Sequence, residues 1–180
     1  FIVMSVLKEL KKSNPILKDV LIQSDFEVEL RATNKALMDY LLKPETVGLL
    51  LDELMSDPDP NSDALTVYMM VTEIFKSQFI IDDLSRVIFE NNEISRRFEV
   101  FFQKSPLSAN TVNTTMQLLV LLAQHSLVRV VDYLKASNGG FVPHLRLHLQ
   151  HPIVSAFIAR LIELDVIGRT ADAVADCELA

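Results

Sequence analysis

A chain of 180 residues, 49% of them hydrophobic, can bury a sizeable core, and with Cys177 as its single cysteine it can form no internal disulfide. Its net charge of −7, without a long basic stripe, argues against nucleic acid as a partner, because phosphate binding needs clustered Lys and Arg. A lone thiol in a chain of this size fits a reducing compartment, the cytosol first and the nucleus second.

Apolar residues recur at helical spacing along nearly the whole chain and sustained period-two alternation is absent, so every element is read as a helix. Phe1 to Leu7 is apolar but lacks a basic lead and a small-residue cleavage site, so it does not read as a signal peptide. Opening on Phe1 rather than Met, the chain reads as a piece of a longer protein. A first helix is expected over Ile2 to Lys12, ended by Ser13-Asn14-Pro15, and a short helical turn follows through Ile22. Ser24-Asp25, with Glu27 behind it, is a candidate cap for one long helix from Phe26 to Leu42. Pro44, at the first-turn position it tolerates best, opens the next helix, which runs to about Met55. Asp57 to Ser62 carries two prolines among Asp, Asn and Ser and is expected as a loop, after which a helix from Ala64 to Lys76 completes a first triplet.

Two further triplets follow. The second is Asp82 to Glu90, Asn92 to Gln103 and Asn110 to Gln124, with Ser105-Pro106-Leu107-Ser108 as its loop. The third is Leu127 to Ala136, Phe141 to Gln150 and Pro152 to Asp165, before a tail rich in Ala and Asp. The breakers Pro44, Asn91 and Asn138 stand at equal intervals of 47 residues, and the first helices match in type at Tyr40, Val87 and Tyr133. Units of about 40–47 residues made of two or three helices predict an all-α, right-handed armadillo/HEAT-like solenoid that stacks to bury apolar faces no single unit can bury. The expected organisation is an N-terminal helical segment over 1–24, repeats over 25–78, 79–124 and 125–167, and a tail or start of a further repeat over 168–180.

No stretch of about 18 consecutive apolar residues occurs, so no membrane insertion is expected. Asn113-Thr114-Thr115 matches a glycosylation sequon, but on an expected helix in a cysteine-poor chain it reads as chance.

Asp25-Phe26-Glu27-Val28-Glu29-Leu30 leads into Ala32-Thr33-Asn34-Lys35 and then Leu37-Met38-Asp39-Tyr40-Leu41 ahead of a proline, an order that resembles the opening of the SAPS domain. Pro44-Glu45 with Leu49 to Leu54 is similar to its next helix. Asp83-Leu84 to Phe101-Phe102, broken at Glu90-Asn91-Asn92-Glu93, is similar to its two helices ending in a Phe pair, and Pro106-Leu107 to the loop behind them. The resemblance spans roughly Ile16 to Leu164; the family's tryptophan-bearing N-terminal segment is absent, and Leu30 stands where the family often has cysteine. It implies a non-catalytic regulatory or scaffold subunit that binds the catalytic subunit of a type-2A-like serine/threonine phosphatase of the protein phosphatase 6 class, with further regulatory subunits as added partners. The alternative is a generic armadillo/HEAT adaptor for trafficking or cytoskeletal partners.

Enzymatic constellations are weak. His144, His148 and His151 would share one helix face, as a metal site requires, but His151 precedes Pro152 and no carboxylate lies between Asp132 and Glu163 to complete a ligand set. The expectation is a polar helix rim with Leu145, Leu147 and Leu149 facing the core, and no metal or cofactor. Cys177 has no neighbouring cation to activate it, and Asn138-Gly139-Gly140 lacks the strand and the Lys-Ser/Thr ending of a phosphate loop. Met69-Met70 and Phe89, Phe98, Phe101 and Phe102 read as core. Arg96-Arg97 and Lys11-Lys12 read as solvated helix faces. In a solenoid the third helix of each triplet lines the concave face, which makes Glu73 and Lys76, Asn113 and Gln117, and Arg160 and Glu163 the candidates for a protein-binding groove.

Overall fold

Helix starts need an acceptor for the unpaired N–H groups of the first turn, and in this chain Asn34 and Asn91 supply one from their own side chains. The computed structural model describes residues 5–57, 63–104, 106–136 and 141–163, and among them every regular element is a helix. In order these are α1 (Val6–Leu10), α2 (Leu17–Leu21), α3 (Phe26–Arg31), α4 (Lys35–Leu41), α5 (Pro44–Leu54), α6 (Asp63–Lys76), α7 (Ile81–Glu90), α8 (Asn92–Phe102), α9 (Ala109–Ala136), α10 (Phe141–Arg146) and α11 (152–163). The beginning of the expected first helix, Pro58 to Ser62, the breaker at Ser137-Asn138-Gly139 and everything from Leu164 on, Cys177 included, lie outside the described residues.

The helices share one buried cluster. Phe26, Leu37, Leu41, Leu50, Leu51, Leu54, Ile74, Phe98 and Phe102 are all essentially removed from solvent, each contributing about 1.5–3 kcal/mol of hydrophobic stabilisation. Neighbouring helices pack in chain order, α4 on α5, α5 on α6, α6 on α7 and α7 on α8. A second set of contacts skips along the chain, α5 to α8 and α8 to α10. Side-chain bonds cross these longer intervals. Arg97 Nη1 donates to Asp52, Tyr68 OH to Thr114 Oγ1 (2.7 Å), Ser108 Oγ to Asp57 (2.7 Å) and His148 Nε2 to the Phe102 carbonyl (2.9 Å). With Gln103–His144, these five links span 41 to 51 residues, bracketing the 47-residue interval of the breakers.

The long helix expected over Phe26 to Leu42 is two helices. The N–H of Asn34 bonds back to the Glu29 carbonyl and that of Thr33 to Leu30, both 3.1 Å, which is the double closure of a Schellman turn. Thr33 occupies its left-handed position at φ 51, a place usually held by glycine. Asn34 then caps α4 by accepting from Ala36 N and donates its amide to Glu29 at 2.8 Å. The expected cap at Asp25 is also redirected. Its carboxylate makes no bond to α3 and instead accepts from Val6 N (3.0 Å), tying α1 to the start of α3.

The expected helices Asn110 to Gln124 and Leu127 to Ala136 meet without a loop inside α9, at Ser126, whose φ −150 and ψ 61 break the helical geometry. Ala109–Leu134 is, by length and composition, apolar enough to cross a membrane, and α6 with α7 passes jointly across a 96° bend. The stretch is not consecutively apolar, since Thr, Asn, Gln and Ser interrupt it, but Arg129 and Asp132 are its only charged side chains, which keeps its mean hydropathy high. Here Val112, Met116, Leu118, Leu119, Leu122 and Val130 of α9 are buried in the protein's own core.

Candidate functional site

α6, α9 and α11 line a run of depressions that share walls. The first, about 240 Å³, lies between Glu27, Leu30 and Arg31 of α3 and Glu73, Lys76 and the exposed Phe79 at the end of α6. Lys76 also borders the next, where Gln117, Val120, Leu121 and Gln124 of α9 and Ile153 of α11 enclose about 330 Å³. Val120, Gln124 and Ile153 are in turn shared with a third of about 410 Å³, floored by Ala123, Leu127, Ala156, Phe157 and Leu161 and bordered by Arg160.

Of the six residues expected to line a groove, Lys76 and Gln117 face the same depression, and Arg160 borders the one beside it. Glu73 lies one turn before Lys76, pairs with it at 3.5 Å and borders the first depression. Glu163 pairs with Arg160 at 2.9 Å. Asn113 is exposed one turn before Gln117 on the same face of α9. Each cation is thus matched by an acid on its own helix, at exposed positions where such pairs contribute little to stability. The surface is therefore close to neutral, with a floor of aliphatic and aromatic groups and a rim of amides and paired charges. Such a surface can take the apolar side of a helix or satisfy an extended backbone; it holds no nucleophile–base pair. Sequence reading missed the floor. Its one visible signal is that α9 is apolar around most of its circumference between Met116 and Leu127, more than one buried face requires.

The histidines are placed for packing. α10 ends at Arg146 and a turn over 147–150 rotates the chain, so that Leu145 and His148 go inside while Leu147 and Leu149 stay 59% and 47% exposed. This corrects the expected inward set of three leucines. His148 Nε2 donates to the Phe102 carbonyl, its ring lies 5.7 Å from that of Phe102, and its buried Nδ1 has no partner. His144 pairs with Gln103 at 3.2 Å. No group of three His, Cys, Asp or Glu is placed to hold a metal among the described residues. Phe98, Phe101 and Phe102 are core and Phe89 packs against Tyr133 at 5.5 Å, whereas Met69, expected inside, is 54% exposed.

Tyr133 is the most perturbed titrating group described. Burial first, then the neighbouring Glu99, push its hydroxyl well above the usual tyrosine range. It donates to the Ser95 carbonyl at 3.0 Å and to Glu99 at 3.4 Å, joining the far half of α9 to α8. No family model matches the chain, and neither does any curated protein or solved structure.

Proposed function

We propose that this chain is a non-catalytic scaffold, a right-handed armadillo/HEAT-like solenoid that binds the catalytic subunit of a type-2A-like serine/threonine phosphatase of the protein phosphatase 6 class and directs its activity. The observation that carries the scaffold reading is the shared-wall run of depressions along α6, α9 and α11, which brings Lys76, Gln117 and Arg160 to one surface. The links spanning 41 to 51 residues support a stacked register, since they join corresponding helices or the loops and turns that follow them about one 47-residue unit apart. The phosphatase as partner rests on the resemblance of Asp25 to Pro106 to the SAPS domain.

The test is capture of a protein phosphatase 6-type catalytic subunit by the immobilised chain, alongside a variant carrying Lys76→Glu, Gln117→Ala and Arg160→Glu. Capture by the parent chain and its loss in the variant, with unchanged helical circular dichroism, is expected. Equal capture by both would move the contact off this surface. Failure to capture, with another protein recovered, would replace the phosphatase with the adaptor reading and leave the groove standing.

A further inference from the structure

A different groove, of about 460 Å³, lies between α5 and α8. Met55 of the α5 end and Phe101 line it, Arg96 and Val100 border it one turn apart on α8, and Lys104, in the bend just past the helix end, borders it beyond Val100. The four-residue step sets Arg96 and Val100 side by side, about 6 Å apart. Val100 is 47% exposed, and Arg96 and Lys104 are exposed with no ion-pair partner among the described residues.

Arg97 behaves otherwise. Its guanidinium lies across α5 at Gly48, where a Cβ would stand 3.0 Å from Nη2, and its Nη1 donates to Asp52. Glycine in the middle of a helix costs about 1 kcal/mol relative to alanine, and here it clears the space the guanidinium occupies. The pair neutralises the carboxylate that α5 turns toward the groove. Glu93 is the remaining acid against Arg96 and Lys104, which leaves a local positive excess on a chain whose net charge is −7.

We infer that this groove docks an acidic amphipathic helix of a partner protein, with carboxylates one turn to either side of an apolar residue. The carboxylates meet Arg96 and Lys104, and the apolar side chain lies on Val100 and Met55. A trough between two helices accepts a third, and the cation–apolar–cation line sets its register. Two cations interrupted by Glu93 and Asp52 suit discrete carboxylates better than a phosphate backbone or an anionic bilayer, both of which reward longer basic stretches. The surface shares no residue with the α6–α9–α11 depressions, so its fate is independent of the phosphatase reading.

The test is fluorescence anisotropy of the full chain with a labelled alanine-based helical peptide bearing Glu, Leu and Glu at successive four-residue steps. Saturable binding is expected, weakened about tenfold or more by Arg96→Glu with Lys104→Glu and by Leu→Ala in the peptide, and strengthened several-fold by Asp52→Asn, which releases the Arg97 guanidinium from its partner and adds its charge to the groove. Both positions are exposed, so the reversal leaves the fold intact and circular dichroism verifies it. Absence of binding, indifference to the charge reversal, or equal binding of the Leu→Ala peptide would overturn the proposal. Tighter binding to vesicles of anionic phospholipid than to the peptide would overturn it in favour of a membrane surface.

Discussion

Two helix breaks, at Ala32-Thr33-Asn34 and at Asn91, do the same work by different means. At Asn91 one extended residue (φ −112, ψ 106) separates α7 from α8, and its side chain accepts from Glu93 N and Ile94 N. The break is stabilised by the residue that makes it. Between α3 and α4 the chain must turn through a left-handed position, and the residue there is Thr33, a β-branched residue for which φ 51 is a true outlier. Its strain is offset by neighbours, through the Schellman bonds from Thr33 and Asn34 and the contact between Asn34 and Glu29. A break can thus be written into one residue, or imposed on an ill-suited residue by the bonds around it.

Four substitutions would break or sharpen that contrast. The largest effect is expected for Thr33→Pro, which removes the N–H bonded to Leu30 and demands a negative φ; it should cost about 3 kcal/mol or more in urea unfolding. A cost near zero would mean that the turn is not formed as described. Asn91→Ala should cost about 1 kcal/mol, the usual loss of a capping side chain, and Asn91→Asp should recover most of it. Thr33→Gly should act in the opposite direction, raising stability by about 0.5 kcal/mol as relief of the left-handed strain outweighs glycine's entropy; destabilisation would show that Thr33 carries no strain.

The smallest effect at neutral pH is expected where Tyr133 holds the first turn of α8 through the Ser95 carbonyl. Its folded-state pKa lies above that of the unfolded chain, so its contribution is complete below about pH 10 and is lost as pH rises beyond it. Thermal unfolding of the parent should therefore weaken in alkali more steeply than that of Tyr133→Phe. Parallel pH profiles would remove Tyr133 as the cause. Tyr40, also pushed upward by burial, remains in both proteins and cancels in the comparison.

Much of the helix pattern was legible. Pro44 at the head of α5, the helices ending at Lys76 and Glu90, and the start at Asn92 all follow from residues whose local preference matches the final structure. The break at Thr33 was illegible because no glycine or proline announces it, and Asp25 misled because its carboxylate caps a helix nineteen residues away in sequence. The candidate surface was legible only as exposed polar positions on helices: Lys76, Gln117 and Arg160 stand at polar positions of their helices, while their meeting along one run of depressions and its apolar floor depend on how α6, α9 and α11 meet.

By itself the sequence determined that the described chain is helical, where most helices begin, and that Pro44 and Asn91 each open a helix, because periodicity, proline and capping asparagine act over one or two turns. Tertiary structure alone decided that Gly48 makes room for Arg97, that His148 rather than Leu147 turns inward, and that Lys76 shares a wall with Gln117. These depend on which distant helix arrives at each face, and helical periodicity marks a face as apolar without naming its partner.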